Sequence, residues 1–180
     1  MKPKISTATG DKGDTDLIGK KRIKKSDVRI HAIGSLDELN CLLGVVISQI
    51  DHFIDIREDL IKIQKVLFSI GANLADESGN IFDGLSEDLI KDLEEKSTIL
   101  ENALPELISF ILPGGATLGA LFHQSRSVCR RAERWIVDLS RNNLIDENIL
   151  KYINRLSDYL FLVARKINED TGKQETIWKK

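Results

Sequence analysis

The sequence is poor in cysteine. Its two cysteines, Cys41 and Cys129, lie far apart, and the chain contains no CxxC pair. Metal knuckles and redox dithiols need closely spaced cysteines, so neither is expected. Two separate free thiols are instead typical of a protein in a reducing compartment.

An excess of positive charge is also missing. The chain has 26 Lys and Arg against 28 Asp and Glu, which gives a formal net charge of −2. General nucleic-acid binders usually carry a basic excess, so no nucleic-acid partner is expected. The N-terminal stretch has no apolar run like that of a secretory signal. No apolar stretch approaches the ~20 residues of a membrane helix, and we therefore expect a soluble cytoplasmic protein with no membrane partner.

Helical periodicity dominates the chain after its first residues, and no strand pattern competes with it. Five segments carry apolar stripes with alternating steps of three and four residues, as left-handed bundle packing requires. Ser86 is the predicted N-cap of the third segment, because Glu87 and Asp88 follow it where the helix dipole favours anions. The pattern predicts an all-α, five-helix up-and-down bundle. The segments cover approximately 29–50, 56–74, 86–104, 117–141 and 149–167.

Composition divides the chain into an arm and a bundle within one domain. Residues 1–28 are rich in Gly, Thr, Asp and Lys, and we expect an extended N-terminal arm. Residues 29–180 form the predicted helical bundle domain, and 180 residues suffice for one sizeable core. The connections "ESGNIFDG" and "LPGG" have the composition of loops.

Four arginines stand close together in "RSVCRRAERW", at the centre of the fourth segment. At ~100° per residue, Arg126, Arg130 and Arg134 line one strip beside the apolar seam, with Arg131 off the strip. Like charges four residues apart repel each other unless an anion compensates them. Arginine suits phosphate or carboxylate, so an anionic ligand or a buried carboxylate partner is one interpretation. A solvated face on which Glu133 pairs with a neighbour is the other.

Carboxylates of the first helix are candidate partners for these arginines. Asp37 and Glu38 in "GSLDELN" lie beside its apolar stripe. Either one orients an arginine, or this stretch is an ordinary helix start capped by Ser35 or a nearby residue.

The fifth helix carries polar residues beside its seam. Asn154, Asp158 and Phe161 share one strip in "NRLSDYLF". Asn and Asp are poor helix formers. They are tolerated on an exposed face, but beside a seam they also suit hydrogen bonding to a partner or ligand.

The arm has the composition of a phosphate-binding segment without matching a known phosphate loop. Its glycines Gly10 and Gly13 permit close backbone approach, and its threonines and lysines offer hydroxyls and charge. A P-loop is excluded because Lys21 stands where Ser or Thr is required. An EF-hand is excluded because Asp16 occupies the position of the obligatory glycine. A disordered polar N-terminus is the alternative.

The remaining reactive side chains form no recognisable catalytic pattern. The three histidines are scattered and make no HExxH motif. We expect His123 to be structural or to line a pocket. Cys129 has no neighbouring base in the sequence, so a thiol nucleophile is not expected.

Four segments, in the same order and spanning nearly the whole chain, resemble those of one enzyme family. The family is that of the PduO-type ATP:cob(I)alamin adenosyltransferases, and the segments are "TATGDKGDTDLIG", "RIHAIGSLDELNCLLG", "FILPGGATLGALFHQSRSVCRRAERW" and "YINRLSDYLFLVAR". The resemblance implies a homotrimer of ferritin-like five-helix bundles with active sites between adjacent subunits. It implies transfer of the 5′-deoxyadenosyl group of ATP to the cobalt of cob(I)alamin, or of cob(I)yrinic acid a,c-diamide. The products are the adenosylated corrinoid and triphosphate.

The resemblance also implies ligands and partners. ATP, Mg²⁺ and cobalamin are the expected ligands, and the Co(II) corrinoid is expected to become four-coordinate before its reduction to Co(I). A reductase and an adenosylcobalamin-dependent client enzyme are possible partners. The implied nucleotide-binding residues are Thr7, Thr9, Gly10, Thr15, Lys25, Arg130, Glu133, Arg134 and Asn154.

The resemblance assigns roles to five residues in the reaction. Arg130 and Arg134 would face the triphosphate, Arg126 would pair with Asp37 across the subunit interface, and Phe110 would lie on the corrin side. No protein residue is implied as a resident metal ligand.

Two positions depart from the family pattern, and two other functions stay open. Asp16 stands where a glycine is common, and many members have two glycines where Gly19 and Lys20 stand here. A corrinoid carrier or ATP-dependent sensor without turnover would share most of these residues. A structural helical oligomer with an incidental basic strip would share only the bundle.

Overall fold

The computed structural model describes residues 8–78 and 82–179. Within these ranges the chain forms one antiparallel two-stranded hairpin and five helices. The strands are β1 (Asp14–Asp16) and β2 (Arg22–Lys24). The helices are α1 (Val28–Ser48), α2 (Ile54–Ala75), α3 (Glu87–Ala103), α4 (Thr117–Ser140) and α5 (Glu147–Asp170).

The hairpin in the arm is a difference from the sequence expectation, which contained no strand. Thr15 lies opposite Ile23 in the register of β1 and β2. The connection uses left-handed backbone at Gly19, with φ of +88°, and at Lys20, with φ of +65°. Strands of three residues are too short to show the alternation that identifies a strand in a sequence.

The beginnings of two helices test the capping predictions. Ser86 is the N-cap of α3, where its hydroxyl accepts a hydrogen bond from the Asp88 backbone N–H at 3.3 Å. The suggestion that Ser35 or a residue near it caps the first helix is wrong. Asp27 is the N-cap of α1, with its carboxylate accepting from the Arg29 N–H at 2.8 Å, and Ser35 is buried within the helix.

The core lies where α4 packs between α1 and α5, with α2 on α1 and α3 on α5. All six predicted stripe residues of α5, from Ile149 to Ile167, are at most 1% exposed. On α4 the stripe prediction missed Phe122, Cys129 and Ile136, which are completely buried. Two neighbours cover α4, so it buries a broader face than one stripe.

Among the described helices, α1 is long and apolar enough to cross a membrane by length and composition, with a mean hydropathy of 1.4. This overturns the expectation that no stretch approaches that threshold. Leu36, Leu39 and Leu43 of this helix are at most 2% exposed and pack in the bundle core. The same helix also carries Asp37 and Glu38. Packing in the bundle core therefore accounts for the apolar character of α1.

Candidate active site

A groove along α3, α4 and α5 contains two of the three arginines of the strip. We call it the arginine groove; its volume is about 500 Å³, and its lining includes Arg126, Arg130, Asp158 and Phe161. The polar strip predicted on the fifth helix therefore faces the arginines of the fourth. The guanidinium groups of Arg126 and Arg130 and the aromatic ring of Phe161 therefore line the same groove.

Arg126 is half-buried at the base of this groove. Its guanidinium carbon lies 5.9 Å from the centre of the Phe161 ring, a distance compatible with a cation–π contact. Its Nε is buried without a hydrogen-bond partner among the described residues. Burial lowers the pKa of Arg126, and the nearby charge of Arg130 lowers it further. Arg126 is therefore a desolvated cation whose compensating anion is not supplied by the described chain.

The other arginines divide into two groups. Arg130 and Arg134 are exposed on the strip, and Arg134 donates to the backbone carbonyl of Arg130 at 3.0 Å. The Arg130 guanidinium makes no hydrogen bond or ion pair with any residue that the structure describes. Arg131 points to α1, where it forms an ion pair with Glu38. The carboxylate partner expected on the first helix thus serves the arginine outside the strip.

Glu133 and Asn154 form the polar contact between α4 and α5 beside this groove. The Asn154 side-chain amide donates to the Glu133 carboxylate at 3.0 Å. Arg155 donates to the Glu94 carboxylate of α3 at 2.7 Å and to the Asn154 side-chain oxygen at 3.4 Å, so the contact extends to α3. Asn154 is therefore hydrogen-bonded to a partner, which is one of the two interpretations that its sequence position allowed.

The arm presents a second set of predicted site residues. Thr15, Lys25 and Asp37 line a mostly apolar groove of about 570 Å³ formed with α1 and α2. A side chain at Gly10 would have its Cβ 3.2 Å from the Lys25 amine, so glycine leaves room for this lysine. The Thr9 carbonyl accepts from Arg22 at 2.8 Å. Thr7 lies outside the described residues.

The two grooves share no lining residue. Asp37 lines the arm groove, whereas Arg126 and Arg130 line the arginine groove. Within one chain, Thr15 and Lys25 of the arm therefore lie in a different groove from Arg126 and Arg130.

Phe110 lies on an exposed apolar ribbon. We use this name for residues 108–112 together with residues 176–178. The Trp178 N–H donates to the Phe110 carbonyl at 2.8 Å, and the Leu112 N–H donates to the Thr176 carbonyl at 2.8 Å. Phe110 is 80% exposed and borders a cleft of about 460 Å³ together with Trp178.

Asn168 is a site-forming residue that sequence reasoning missed. This buried side chain of α5 donates to the Gly114 carbonyl at 2.9 Å and accepts from the Ala116 N–H at 3.0 Å. It thereby caps α4, whose own N-cap residue makes no side-chain cap. A Cβ at Gly115 or Gly119 would lie 2.3 Å from its oxygen. The glycines of "PGGATLG" could have indicated this contact in the sequence, because another side chain can approach the backbone so closely only where glycine stands.

The remaining reactive side chains are sequestered. Cys129 is fully buried, its thiol donates to the Ile153 carbonyl at 3.4 Å, and burial raises its pKa. His123 is buried, with neither ring nitrogen bonded to a described residue. Burial lowers the pKa of His123, and the Arg126 charge lowers it further. Neither side chain is set up as a nucleophile or general base.

A five-helix bundle with arginines that lack partners among the described residues, and an arm that carries threonine and lysine, indicates a helical protein that binds an anionic ligand. The chain belongs to the cobalamin adenosyltransferase family, whose model matches residues 5–167.

Curated relatives are similar in sequence to this chain over nearly its whole length. It is 39% identical to the corrinoid adenosyltransferase of Bacillus subtilis, covering 94% of this chain and 89% of that protein. It is also 39% identical to the cobalamin adenosyltransferase of Cupriavidus metallidurans, with 98% and 95% covered. Identity to the human corrinoid adenosyltransferase is 36%, with 99% of this chain and 74% of the human protein covered.

Solved structures have the same fold. A phenylalanine-to-histidine variant of a PduO-type ATP:corrinoid adenosyltransferase from Lactobacillus reuteri, complexed with cobalamin and ATP, superimposes with a TM-score of 0.94. It is 38% identical, and the match covers 98% of this chain and 97% of that one. An arginine-to-lysine variant of the Lactobacillus reuteri enzyme, complexed with ATP, gives a TM-score of 0.92 at 39% identity, with 97% and 100% covered.

Proposed function

We propose that this chain transfers the 5′-deoxyadenosyl group of ATP to the cobalt of cob(I)alamin, giving adenosylcobalamin and triphosphate. The observation that carries the proposal is the guanidinium of Arg130, which has no partner among the described residues and shares a groove with half-buried Arg126. Such a cluster of fixed positive charge suits a polyanion better than it suits solvent. Family membership identifies that polyanion as the triphosphate of ATP.

The nucleotide is held from two sides. Arg130 and Arg134 face the triphosphate, and the pair of Glu133 and Asn154 holds the nucleotide beside them. From the arm come the backbone and hydroxyl groups of Thr7, Thr9, Gly10 and Thr15, with the amine of Lys25.

The reaction needs positioning and charge stabilisation more than proton transfer. Co(I) attacks C5′ of ATP, a cobalt–carbon bond forms, and the C5′–O bond breaks with triphosphate as the leaving group. Negative charge grows on that leaving group, and preorganised arginine donors stabilise developing charge of this kind. No general base is required, in keeping with the buried environments of Cys129 and His123.

Mg²⁺ is expected to accompany the triphosphate. Over residues 8–78 and 82–179 no group of three or more His, Cys, Asp and Glu could hold a metal by itself. Mg²⁺ at phosphate sites commonly needs only one or two protein carboxylates, and Glu133 beside the arginine strip fits that requirement. The ion would neutralise part of the triphosphate charge.

The complete site forms between two subunits of a homotrimer. Half-buried Arg126 lacks a compensating carboxylate among the described residues, whereas exposed Asp37 lines the arm groove. A neighbouring copy would bring Asp37 to Arg126 and the arm to Arg130. This assembly would unite the two grooves that one chain keeps apart.

Phe110 serves the corrinoid. Placed on the lower face of the corrin ring, this exposed apolar side chain would exclude the axial ligand and leave Co(II) four-coordinate. Loss of that ligand makes reduction to Co(I) easier, since no bond to cobalt has to break during the electron transfer.

Phe110→Ala is expected to separate two steps of the reaction. Turnover from cob(II)alamin with a reductant should fall by about tenfold or more, the scale of losing one well-placed interaction. Activity on chemically pre-reduced cob(I)alamin should stay largely intact, because the lower ligand is already absent. Steady-state assays with each corrinoid measure the two activities, and equal losses in both would remove Phe110 from this role.

The experiment that tests the function is anaerobic. Purified protein is mixed with MgATP and chemically reduced cob(I)alamin, the absorbance change is followed, and the products are assayed. Adenosylcobalamin and triphosphate should appear in equal amounts. Binding of ATP and corrinoid without either product would favour a carrier or sensor instead. Absence of any MgATP-dependent thermal stabilisation would favour a structural oligomer.

The cellular setting follows from the same proposal. A cytoplasmic location suits the free thiols Cys41 and Cys129 and the need for a reducing environment. A reductase would supply the electron for Co(II), and an adenosylcobalamin-dependent enzyme would accept the product.

A further inference from the structure

A partly buried ion pair involves the C-terminal tail just before the tail enters the apolar ribbon. Arg165 of α5 has a side chain only 6% exposed, and its Nε lies 2.9 Å and 3.2 Å from the two carboxylate oxygens of Glu175. Its Nη2 donates to the Pro105 carbonyl at 2.9 Å. One guanidinium thus connects α5 to the linker that leads to Phe110 and to the C-terminal tail.

The ion pair is close enough in the chain to determine how residues 176–178 align with residues 108–112 in the ribbon. Glu175 immediately precedes Thr176, whose carbonyl accepts the hydrogen bond from Leu112. Glu175 is the only carboxylate among the described residues that pairs with Arg165. A buried arginine deprived of it would be an unpaired charge in a low-dielectric site, which is strongly unfavourable. Sliding of the tail along residues 108–112 would separate Glu175 from Arg165. The pair therefore opposes such sliding.

Phe110 depends on this backbone for its position. Its side chain is 80% exposed, so packing within the chain does little to hold it. Its carbonyl is held by the Trp178 N–H, three residues beyond Glu175. The other end of the linker is fixed separately, by Asn168 at Gly114 and Ala116. The Arg165–Glu175 ion pair thus anchors the tail three residues before the hydrogen bond that holds the Phe110 carbonyl.

We propose that Glu175, through its ion pair with Arg165, is a positioning residue that holds Phe110 in place for the Co(II) corrinoid. This inference rests on the function proposed above for Phe110. Arg165 also lines the arginine groove, so Glu175, which is outside the lining of that groove, is the cleaner residue to change.

The test compares Glu175→Gln with the wild type in two assays. The measured quantity is the turnover from cob(II)alamin with a reductant divided by the turnover from pre-reduced cob(I)alamin. In Glu175→Gln this ratio should fall about fivefold or more, the scale of losing one charge-assisted hydrogen bond. Electron paramagnetic resonance of the ATP-bound enzyme with cob(II)alamin should show a smaller four-coordinate fraction. Asp170→Asn is the matched control, because it removes the carboxylate of another α5 ion pair, that with Lys166, away from the ribbon. Its ratio should stay within about twofold of the wild type.

Two further variants separate positioning from general destabilisation. Glu175→Asp retains the charge and should recover a large part of the ratio. In a Phe110→Ala background, Glu175→Gln should cause no additional fall, because the residue that it positions is gone. A wild-type ratio in Glu175→Gln, or an undiminished additional fall in the double variant, would overturn the proposal. Should the glutamine variant not fold, the same ratio measured on Glu175→Asp and on its Phe110→Ala double variant decides the question.

The function and the positioning role fail in different ways. Wild-type protein that makes no adenosylcobalamin from cob(I)alamin would refute the proposed function itself. Active wild-type protein with an unchanged ratio in every Glu175 variant would refute only the positioning role.

Discussion

At the scale of single residues, the environment rather than the residue type decides which arginine is available for a ligand. Arg131 is neutralised by Glu38, whereas the guanidinium of Arg130, one position earlier, has no partner among the described residues. Arg126 is half-buried and loses part of its solvation, and within residues 8–78 and 82–179 no carboxylate pairs with it. The sequence showed the strip, because spacing of four residues is visible in it, but it did not show which arginine had a partner.

Removing Arg130 tests its contact with the triphosphate. Arg130→Ala should lower kcat/KM by about 10²-fold or more, the scale of losing one preorganised donor in a transition state. Arg141→Ala is the control, since Arg141 is 73% exposed and forms a surface pair with Asp138. The measurement is steady-state kinetics with cob(I)alamin and MgATP. A change of less than a few-fold in Arg130→Ala would take this residue out of the site.

His123 should make stability depend on pH. Its pKa is lowered in the folded protein, first by burial and then by Arg126, against about 6.5 in the unfolded chain. Between these two values the unfolded state binds more protons, so the free energy of unfolding falls as pH drops below about 6.5. His123→Gln should reduce this slope in urea titrations from pH 7.5 to 5. The exposed His52→Gln serves as the control, and equal slopes in all three proteins would contradict the assignment.

At the scale of elements, a predicted apolar stripe covers only part of the face that a helix buries between two neighbours. Every predicted stripe residue of α5 is buried, but Tyr152, Tyr159 and Ala164 outside that stripe are at most 2% exposed as well, and the stripe of α4 missed three completely buried residues. Each of these helices packs against two others, α4 against α1 and α5, and α5 against α4 and α3. The hairpin was missed altogether. Its connection places Lys20 in left-handed backbone, with φ of +65°.

Replacing Lys20 by glycine should therefore stabilise the hairpin. Left-handed backbone costs a residue with a side chain about 1–2 kcal/mol, part of which is offset by the greater unfolded-state entropy of glycine. We expect a net gain of roughly 0.5–1 kcal/mol. It is measured as slower hydrogen exchange of the Leu17 amide, which donates to the Lys21 carbonyl. Lys12→Gly, in the same arm but without positive φ, should not slow this exchange.

At the scale of the whole molecule, the described chain separates the residues that the reaction would need together. Thr15, Lys25 and Asp37 line one groove, and Arg126 and Arg130 line another. This separation is the physical argument for a site shared between subunits. The sequence could supply the two sets of residues but not their distribution over different faces of the bundle.

Asp37→Asn tests that assembly. Removing one partner of a desolvated charge pair should weaken subunit association by about 2–5 kcal/mol, because the Arg126 charge would be left unpaired. Light scattering over a dilution series should show dissociation at higher protein concentration than in the wild type, together with lower activity. Glu38→Gln is the matched control one residue away, since Glu38 pairs with Arg131 in its own chain. Unchanged mass and full activity in Asp37→Asn would make the pair irrelevant.

The sequence by itself determined the helical class, the approximate helix bounds and the identity of the arginine strip. These are properties of local spacing, since a period of 3.6 residues and a run of one charge are visible without contacts. Only the tertiary structure decided that Asn168 and the pair of Arg165 and Glu175 anchor the segment carrying Phe110. The tertiary structure also placed the arm groove and the arginine groove on different parts of the bundle. These contacts join residues from about 10 to 60 positions apart, and which groups meet across that distance is set by how the helices pack.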